Sequence, residues 1–466
     1  MIELLKKFPL LGRLARLPFL SRAYHYSLSF LGALRYGFPS RRLIVIGVTG
    51  TKGKTTTAHL LTQLLQSSGR PAGLATTVLF RIGDREWVNA TKQTMPGRFA
   101  LQGLLRRMVR EGCRYAVVET SSEGILQFRH RFIDYRAAIF TNLSPEHIER
   151  HGSFENYREA KVRLFARTAR HRDGIGIYNL DDANADKFLA PPLRRKFGFG
   201  RDAAQAKKVH EFFGIEDVRL GPDRTEFSLG GERYRMPLIG GFNVYNAAAA
   251  LVAALALGVS VPEARSALAS AKPAPGRLEL VRAGQPFTVI VDYAHEPASL
   301  TALYEAAKIF SPRRVIGILG SQGGGRDVWK RAAMGEIAAR YCDELILTGE
   351  DPYDEDPEHI MDDIEKGTRD GKANVRRLAD RGEAIRTALS LAEEGDAVVL
   401  SGKGGEVSMC VKGGTIPWSD REVAEDFFKT RKASCVQLAL NTVPRRAPLS
   451  GCGGAPGRSR RRPRPR

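Results

Sequence analysis

The apolar run 43–48 (Leu-Ile-Val-Ile-Gly-Val) passes through Thr49 into Gly50-Thr51-Lys52-Gly53-Lys54-Thr55-Thr56. The helical pattern Ala58-His59-Leu60-Leu61-Thr62-Gln63-Leu64-Leu65 follows at once. A short apolar run closed by glycine reads as a buried strand, and the next segment as a tight turn opening a helix. That junction directs backbone N–H groups and the positive end of the helix dipole at an anion. Lys54 would reach outer phosphates and Thr55 a Mg²⁺ ion, so a nucleoside triphosphate is the first ligand to consider. The general pattern G-x-x-x-x-G-K-[ST] asks for glycine at 48. Val48 stands there and Gly47 lies one residue early, which leaves the shorter loop G-T-K-G-K-T-T.

The same alternation of short apolar runs and helical stretches continues. Strands are expected at 115–119, 137–142 and 174–179, each ending in polar residues, as in a parallel α/β sheet with ligands at its carboxyl ends. Residues 205–240 read as short antiparallel strands extending an edge, and 246–257 as an Ala-rich helix. A break at Ala271-Lys272-Pro273-Ala274-Pro275-Gly276-Arg277 precedes a second α/β unit, with strands expected at 287–291, 314–319, 344–348 and 397–401. With 466 residues the chain holds two or three domains. The expected boundaries are 1–42, 43–272, 273–432 and 433–466.

The net charge of +21 would suggest a nucleic-acid partner, but its location argues otherwise. Residues 1–42 carry +7 and residues 433–466 carry +8, which leaves +6 for everything between. No nucleic-acid-binding core is expected. The uncharged stretch 23–34 is too short to span a bilayer. Two readings of residues 1–42 stay open: helices packed on the body, or a basic amphipathic segment on an anionic membrane surface. The end from Pro444-Arg445-Arg446 to Arg466 is rich in Pro, Gly and Arg, and disorder is expected over 433–466. The five cysteines form no C-x-x-C pair, which fits a reducing cytoplasm and argues against a disulfide framework or a structural zinc site.

Further along, Glu119-Thr120-Ser121-Ser122 follows a strand. So does Thr141-Asn142-Leu143, with His147 beyond it. Lys161 sits in a helical run, Tyr157 to Phe165. Alone, each has a bland reading as a surface carboxylate, a structural imidazole and a solvated lysine. Their order, continued by Asn179-Leu180-Asp181-Asp182, Gly241-Phe242-Asn243-Val244-Tyr245-Asn246, Pro275-Gly276-Arg277-Leu278-Glu279, Val291-Asp292-Tyr293-Ala294-His295, Arg326-Asp327, Lys330-Arg331, Asp351-Pro352, Gly402-Lys403-Gly404 with Glu406, and Asp420-Arg421-Glu422, resembles the Mur ligase family. The likeness covers roughly 43–430 and is greatest to members that add the third amino acid to UDP-N-acetylmuramoyl-dipeptide.

That resemblance implies an α/β fold: a P-loop-containing, parallel-sheet ATPase domain followed by a Rossmann-like ligase domain. It implies a cytoplasmic, monomeric, ATP-dependent ligase acting through an acyl phosphate. The loop Gly50, Thr51, Lys52, Gly53, Lys54, Thr55 and Thr56 would hold ATP with Asn246, Arg277, Asp292 and His295. Thr55, Glu119, His147 and a carbamylated Lys161 would hold Mg²⁺, and Lys54, Glu119, Lys161 and His147 would carry catalysis. Thr94, Ser121, Gln127 and Arg129 would face the UDP-sugar-peptide. Arg326, Asp351, Gly402 and Glu406 would face the amino acid. Domain closure would turn on a hinge at 271–276.

Three departures mark this chain. Only 42 residues precede the first strand, where the family's tripeptide synthetases carry a UDP-binding domain. The family's Ser-Ser-His reads Ser121-Ser122-Glu123, and its Gly-Lys-Gly-His-Glu reads Gly402-Lys403-Gly404-Gly405-Glu406. The diaminopimelate-selecting Asp-Asn-Pro-Arg reads Glu350-Asp351-Pro352-Tyr353, so the arginine that would pair with the distal carboxylate is absent. The alternatives are a folylpolyglutamate- or cyanophycin-type ligase, which also lacks the UDP domain, and a nucleotide-binding scaffold without catalysis. A ligase of the amidating kind is disfavoured because its four-cysteine cluster is missing.

Overall fold

The computed structural model describes residues 18–442 apart from 92, 147 and 326, and of residues 18–21, 148 and 432–442 only the backbone. The expectations for residues 1–17, His147, Arg326 and 443–466 lie outside these described residues.

An eleven-stranded sheet forms the first unit. Its strands are β1 (Ile44–Thr49), β2 (Ala72–Ala75), β3 (Leu79–Ile82), β4 (Arg85–Val88), β5 (Tyr115–Glu119), β6 (Tyr135–Phe140), β7 (Ile175–Asn179), β8 (Arg195–Gly200), β9 (Glu211–Leu220), β10 (Thr225–Leu229) and β11 (Glu232–Met236). In space they run β11-β10-β9-β8-β7-β6-β1-β5-β2-β3-β4. All pairs from β9 to β2 are parallel, and antiparallel strands finish both margins. β1 lies between β5 and β6, so the chain leaves it in opposite directions and a crevice opens beyond its carboxyl end. Both faces of the sheet are covered. Leu60, Leu61 and Leu64 pack on one with the alanines of helix Gly241–Ala256, and Leu105, Tyr157, Leu164 and Phe165 pack on the other. Gly47 is early for a packing reason: a Cβ there would come within 2.8 Å of Leu164, which descends on the strand from helix Phe154–Thr168. Val48 is an interior strand residue, and the anion-facing turn starts only after Thr49.

The second unit is a six-stranded sheet of β12 (Glu279–Leu280), β13 (Thr288–Asp292), β14 (Val315–Leu319), β15 (Glu344–Leu347), β16 (Asn374–Arg377) and β17 (Ala397–Ser401), in the order β12-β13-β17-β14-β15-β16. All pairs but β12–β13 are parallel. Leu300, Met334 and Ile364 pack on one face, and Ile385, Leu389 and Phe428 on the other. A hairpin, β18 (Ser408–Val411) and β19 (Gly414–Pro417), follows. The fold is thus the expected α/β class.

The elements differ from expectation at several places. The Ala-rich helix starts at Gly241, five residues before the expected 246, because Phe242-Asn243-Val244 continue the apolar face onto helix Lys54–Ser67. β9 runs parallel to β8 before the antiparallel hairpins begin. Helix Asp420–Thr442 continues past the boundary expected at 432, since 433–442 hold no proline or glycine and Pro444 comes only afterwards. The N-terminal residues form a helix, Pro18–Arg35, seated on helix Arg98–Arg110. Among the described residues no helix is long and apolar enough to cross a membrane.

Candidate active site

The loop after β1 is held from the side by the end of β6. Thr51 N–H donates to the Asn142 carbonyl at 2.9 Å, Lys52 N–H to Asn142 Oδ1 at 2.9 Å, and Thr141 Oγ1 to the Lys52 carbonyl at 2.7 Å. Two glycines are required by contact. A Cβ on Gly50 would lie 2.0 Å from Thr141 Oγ1, and one on Gly53, at φ 77°, would lie 2.0 Å from Asn246 Oδ1. Asn246, in the second turn of helix Gly241–Ala256, therefore sits directly against the loop although remote in sequence.

The polar side chains gather around that loop. Thr55 Oγ1 donates to Glu119 Oε2 at 2.9 Å, and the Thr77 N–H donates to the same oxygen at 3.0 Å. Lys54 Nζ donates to the Thr51 carbonyl at 2.7 Å. Burial pushes the Lys54 ammonium below its ordinary value, against the pull of Glu119 and Glu146. Lys161 Nζ donates to the Gly50 carbonyl at 2.6 Å and lies 4.6 Å from the centre of the Tyr157 ring. Burial, and then repulsion from Lys54, holds it well below the usual lysine range. The Thr55 hydroxyl and Glu119 carboxylate are adjacent hard oxygen donors, a donor set that suits Mg²⁺. Among the described residues, no three His, Cys, Asp or Glu side chains form a metal-sized group.

The second unit closes over this loop. Arg277 extends Nη2 to within 3.5 Å of Thr55 Oγ1 and lies 4.6 Å from the centre of the Tyr293 ring. Asp292, at the end of β13, accepts from the N–H groups of Leu278 (2.6 Å) and Ala294 (2.8 Å); burial raises its carboxyl. His295 donates from Nδ1 to the Tyr293 carbonyl at 2.7 Å. Burial, and then the charges of Lys330 and Lys52, hold its imidazole well below the usual range. Lys52 bridges the units, reaching Glu146 at 3.2 Å and Glu296 at 2.9 Å. Sequence reasoning assigned no role to Glu146 or Glu296, and only the folded cleft brings them to Lys52.

A cavity of about 1110 Å³ joins these groups. Its wall includes Thr51, Lys52, Gly53, Lys54, Thr55, Thr56, Glu119, Asn246, Arg277, Asp292 and His295, then Thr94, Ser121, Gln127 and Arg129 at one end and Asp351 and Glu406 at another. Gly50, Lys161 and Gly402 do not line it. Thr94 accepts from Thr77 at 3.0 Å, and Ser121 caps helix Ser122–Leu126 through the Gly124 N–H. Asp351 Oδ1 accepts from buried Lys403 Nζ at 2.9 Å and from the Cys410 N–H at 2.7 Å, and Lys403 also pairs with Glu406. A Cβ on Gly402 would lie 2.3 Å from Glu350 Oε2.

The Mur ligase middle domain matches residues 48–254 and the Mur ligase glutamate ligase domain residues 276–404. A UDP-N-acetylmuramoyl-L-alanyl-D-glutamate–2,6-diaminopimelate ligase of Geobacillus thermodenitrificans is 37% identical over 87% of this chain and 83% of its own length. A UDP-N-acetylmuramyl-tripeptide synthetase of Roseiflexus is 38% identical over 84% of this chain and 80% of its own. A solved 2,6-diaminopimelate ligase structure superposes with a TM-score of 0.57 at 30% identity, covering 84% of this chain and 79% of that one. Folylpolyglutamate synthase of Mycobacterium tuberculosis has the same fold, with a TM-score of 0.65 at 20% identity over 81% of this chain and 92% of that one.

Proposed function

The chain belongs to the Mur ligase family, and from that membership we propose that it adds an amino acid to UDP-N-acetylmuramoyl-L-alanyl-D-glutamate in peptidoglycan precursor synthesis. The observation that carries this is the single cleft: a phosphate loop, an acceptor wall and an amino-acid wall share one cavity. We take 43–272 and 273–432 as the two catalytic units, a division supported by the two separate sheets.

In this reading the acceptor carboxylate attacks the γ-phosphorus of ATP, the bond to ADP breaks, and an acyl phosphate forms. The amine then attacks the acyl carbon and phosphate leaves. Lys54 offsets the charge that develops on the transferred phosphoryl group, and the loop N–H groups hold the remaining phosphates in line. Asn246 and Arg277 fix the nucleotide from opposite units; Asp292 and His295 hold the turn that presents the second unit to it. Thr55 and Glu119 would hold Mg²⁺, which supplies further charge neutralisation, and His147 a second ion. Burial lowers the Lys161 ammonium and so favours the neutral amine that carbamylation by CO₂ requires. Thr94, Ser121, Gln127 and Arg129 bind the acceptor. Glu406 and Arg326 orient the amino acid, with Asp351 and Gly402 shaping that end.

The added amino acid is one without a second carboxylate, lysine being the simplest. Among the described lining residues after Arg277 there is no lysine or arginine, and Tyr353 stands where a guanidinium would pair with a distal carboxylate. In this reading the enzyme acts as a monomer. ATP use and the buried free thiols of Cys113, Cys342 and Cys410, among the described residues, fit the cytoplasm. A peripheral contact with anionic lipid is favoured by the N-terminal helix, which exposes Tyr26, Phe30, Leu31 and Leu34 beside the exposed Arg22, Arg35, Arg41 and Arg42. Phosphate release with this acceptor across an amino-acid panel tests the function. Turnover with lysine is expected. Strict dependence on meso-diaminopimelate would refute the amino-acid assignment.

A further inference from the structure

The N-terminal helix Pro18–Arg35 reaches the acceptor end of the cleft. Gly32 lets it approach closely: a Cβ there would come within 3.3 Å of the Arg98 carbonyl. Ser29 Oγ donates to the Phe128 carbonyl at 2.9 Å. This seating sets His25 on Arg98, with guanidinium Nη2 against imidazole Nδ1. Arginine has no acceptor, so Nδ1 accepts and the His25 proton resides on Nε2. Burial and the charges of Arg98 and Arg129 both favour that neutral ring.

Arg98 Nε also donates to the Gln127 carbonyl at 3.0 Å. Arg129 donates from Nε to Gln127 Oε1 at 3.1 Å and from Nη1 to Gln93 Oε1 at 2.7 Å, and it reaches the Met95 carbonyl as well. All these acceptors are neutral. Among the described residues neither guanidinium has a carboxylate in ion-pair contact, and Glu123, the acid whose charge Arg129 feels, pairs with Arg150 at 2.7 Å. Two neighbouring, partly buried cations without a counter-charge repel each other, and their surroundings favour an anion between them. Gln93, Gln127 and Arg129 line the cleft, while Arg98 and His25 lie half-exposed just behind Gln127.

We propose that Arg98 and Arg129, with His25 of the N-terminal helix positioning Arg98, form the subsite for the diphosphate of a nucleotide-linked acceptor. This rests on the reading of the acceptor above. The peptide end lies in the cleft and the diphosphate extends past Arg129 onto Arg98. Two fixed forks suit a diphosphate better than one carboxylate, because each can bind a phosphate through paired N–H groups.

The test measures binding of UDP, and of uridine as control, to the full chain with its phosphate loop saturated by a non-hydrolysable ATP analogue and Mg²⁺. UDP is expected to bind more tightly than uridine, and Arg98→Ala to weaken UDP by about ten-fold or more with uridine unaffected. His25→Ala should weaken UDP by less, and His25→Gln, which keeps an acceptor for Arg98, should restore it. In turnover Arg98→Ala should raise KM for the UDP-linked acceptor and leave KM for ATP alone. Equal effects on UDP and uridine, or an unchanged acceptor KM, would overturn the subsite while leaving the ligase reading intact. Loss of UDP binding in Arg98→Ala, in a chain that turns over no UDP-linked acceptor, would keep the subsite and sink the ligase reading.

Discussion

At the nucleotide end of the cleft, Lys54, Thr55, Glu119 and Lys161 each bond a partner on the phosphate loop or beside it. At the amino-acid end, Glu350 is 1% exposed and neither of its carboxylate oxygens has a hydrogen-bond partner. Burial raises that carboxyl to about 7, although Arg381, Lys403 and Lys330 pull it down. Two of those cations are committed elsewhere: Arg381 to Asp420, and Lys403 to Asp351 and Glu406. The difference separates two tasks. Phosphate binding is generic and rests on backbone and a helix end, so its charges are satisfied in advance. Amino-acid selection is particular to each enzyme, and there the fold keeps polar groups at a cost in stability.

The largest expected break in this comparison comes from Lys54→Ala. Acceptor-dependent phosphate release should fall by about 10³-fold, the scale of losing a preorganised charge at the reacting phosphoryl group. A loss under ten-fold, in a variant with an unchanged melting temperature, would mean that charge is offset elsewhere. Next is Glu350→Gln. The folded carboxyl titrates near 7 against an ordinary 4.5, so the native state of the parent chain loses stability as pH rises through that window. The glutamine variant should escape a loss of at most about 3 kcal/mol, seen as divergent denaturant midpoints at pH 8 that converge at pH 4.5. Parallel pH profiles would show that Glu350 finds a partner in solution.

Smaller effects sharpen the contrast. Tyr353→Arg should raise the use of meso-diaminopimelate relative to lysine by about ten-fold, measured as a ratio of kcat/KM. No change in that ratio would place selection elsewhere on the wall. Lys52→Met removes the bridge to Glu146 and Glu296. Because Lys52 is partly exposed, the stability change should stay below about 1 kcal/mol and shrink in high salt. An effect that salt leaves untouched would point to packing instead.

The sequence made the nucleotide end legible because its parts are contiguous. A strand, two glycines in contact-limited positions and a helix start occupy neighbouring residues, and period and composition reveal them. Gly47 stayed opaque, since its reason is Leu164 from a helix far along the chain. Lys403 read as one residue of a Gly-rich motif, and its double pairing with Asp351 and Glu406 needed the fold. The same holds for His25 on Arg98, which joins residues more than seventy positions apart. Short strands at or next to a sheet edge, such as β3, β4 and β16, gave little periodic signal, and the Ala-rich helix hid its own start behind Gly240 and Gly241.

The most direct measurement is phosphate release from ATP by the purified chain, offered UDP-N-acetylmuramoyl-L-alanyl-D-glutamate, folate or peptide acceptors across an amino-acid panel. Turnover is predicted only when the UDP-linked dipeptide and an amino acid are both present, with a mass gain of one residue on the acceptor. Turnover on folate or peptide acceptors instead, or ATP binding with no acceptor-dependent turnover at all, would contradict it.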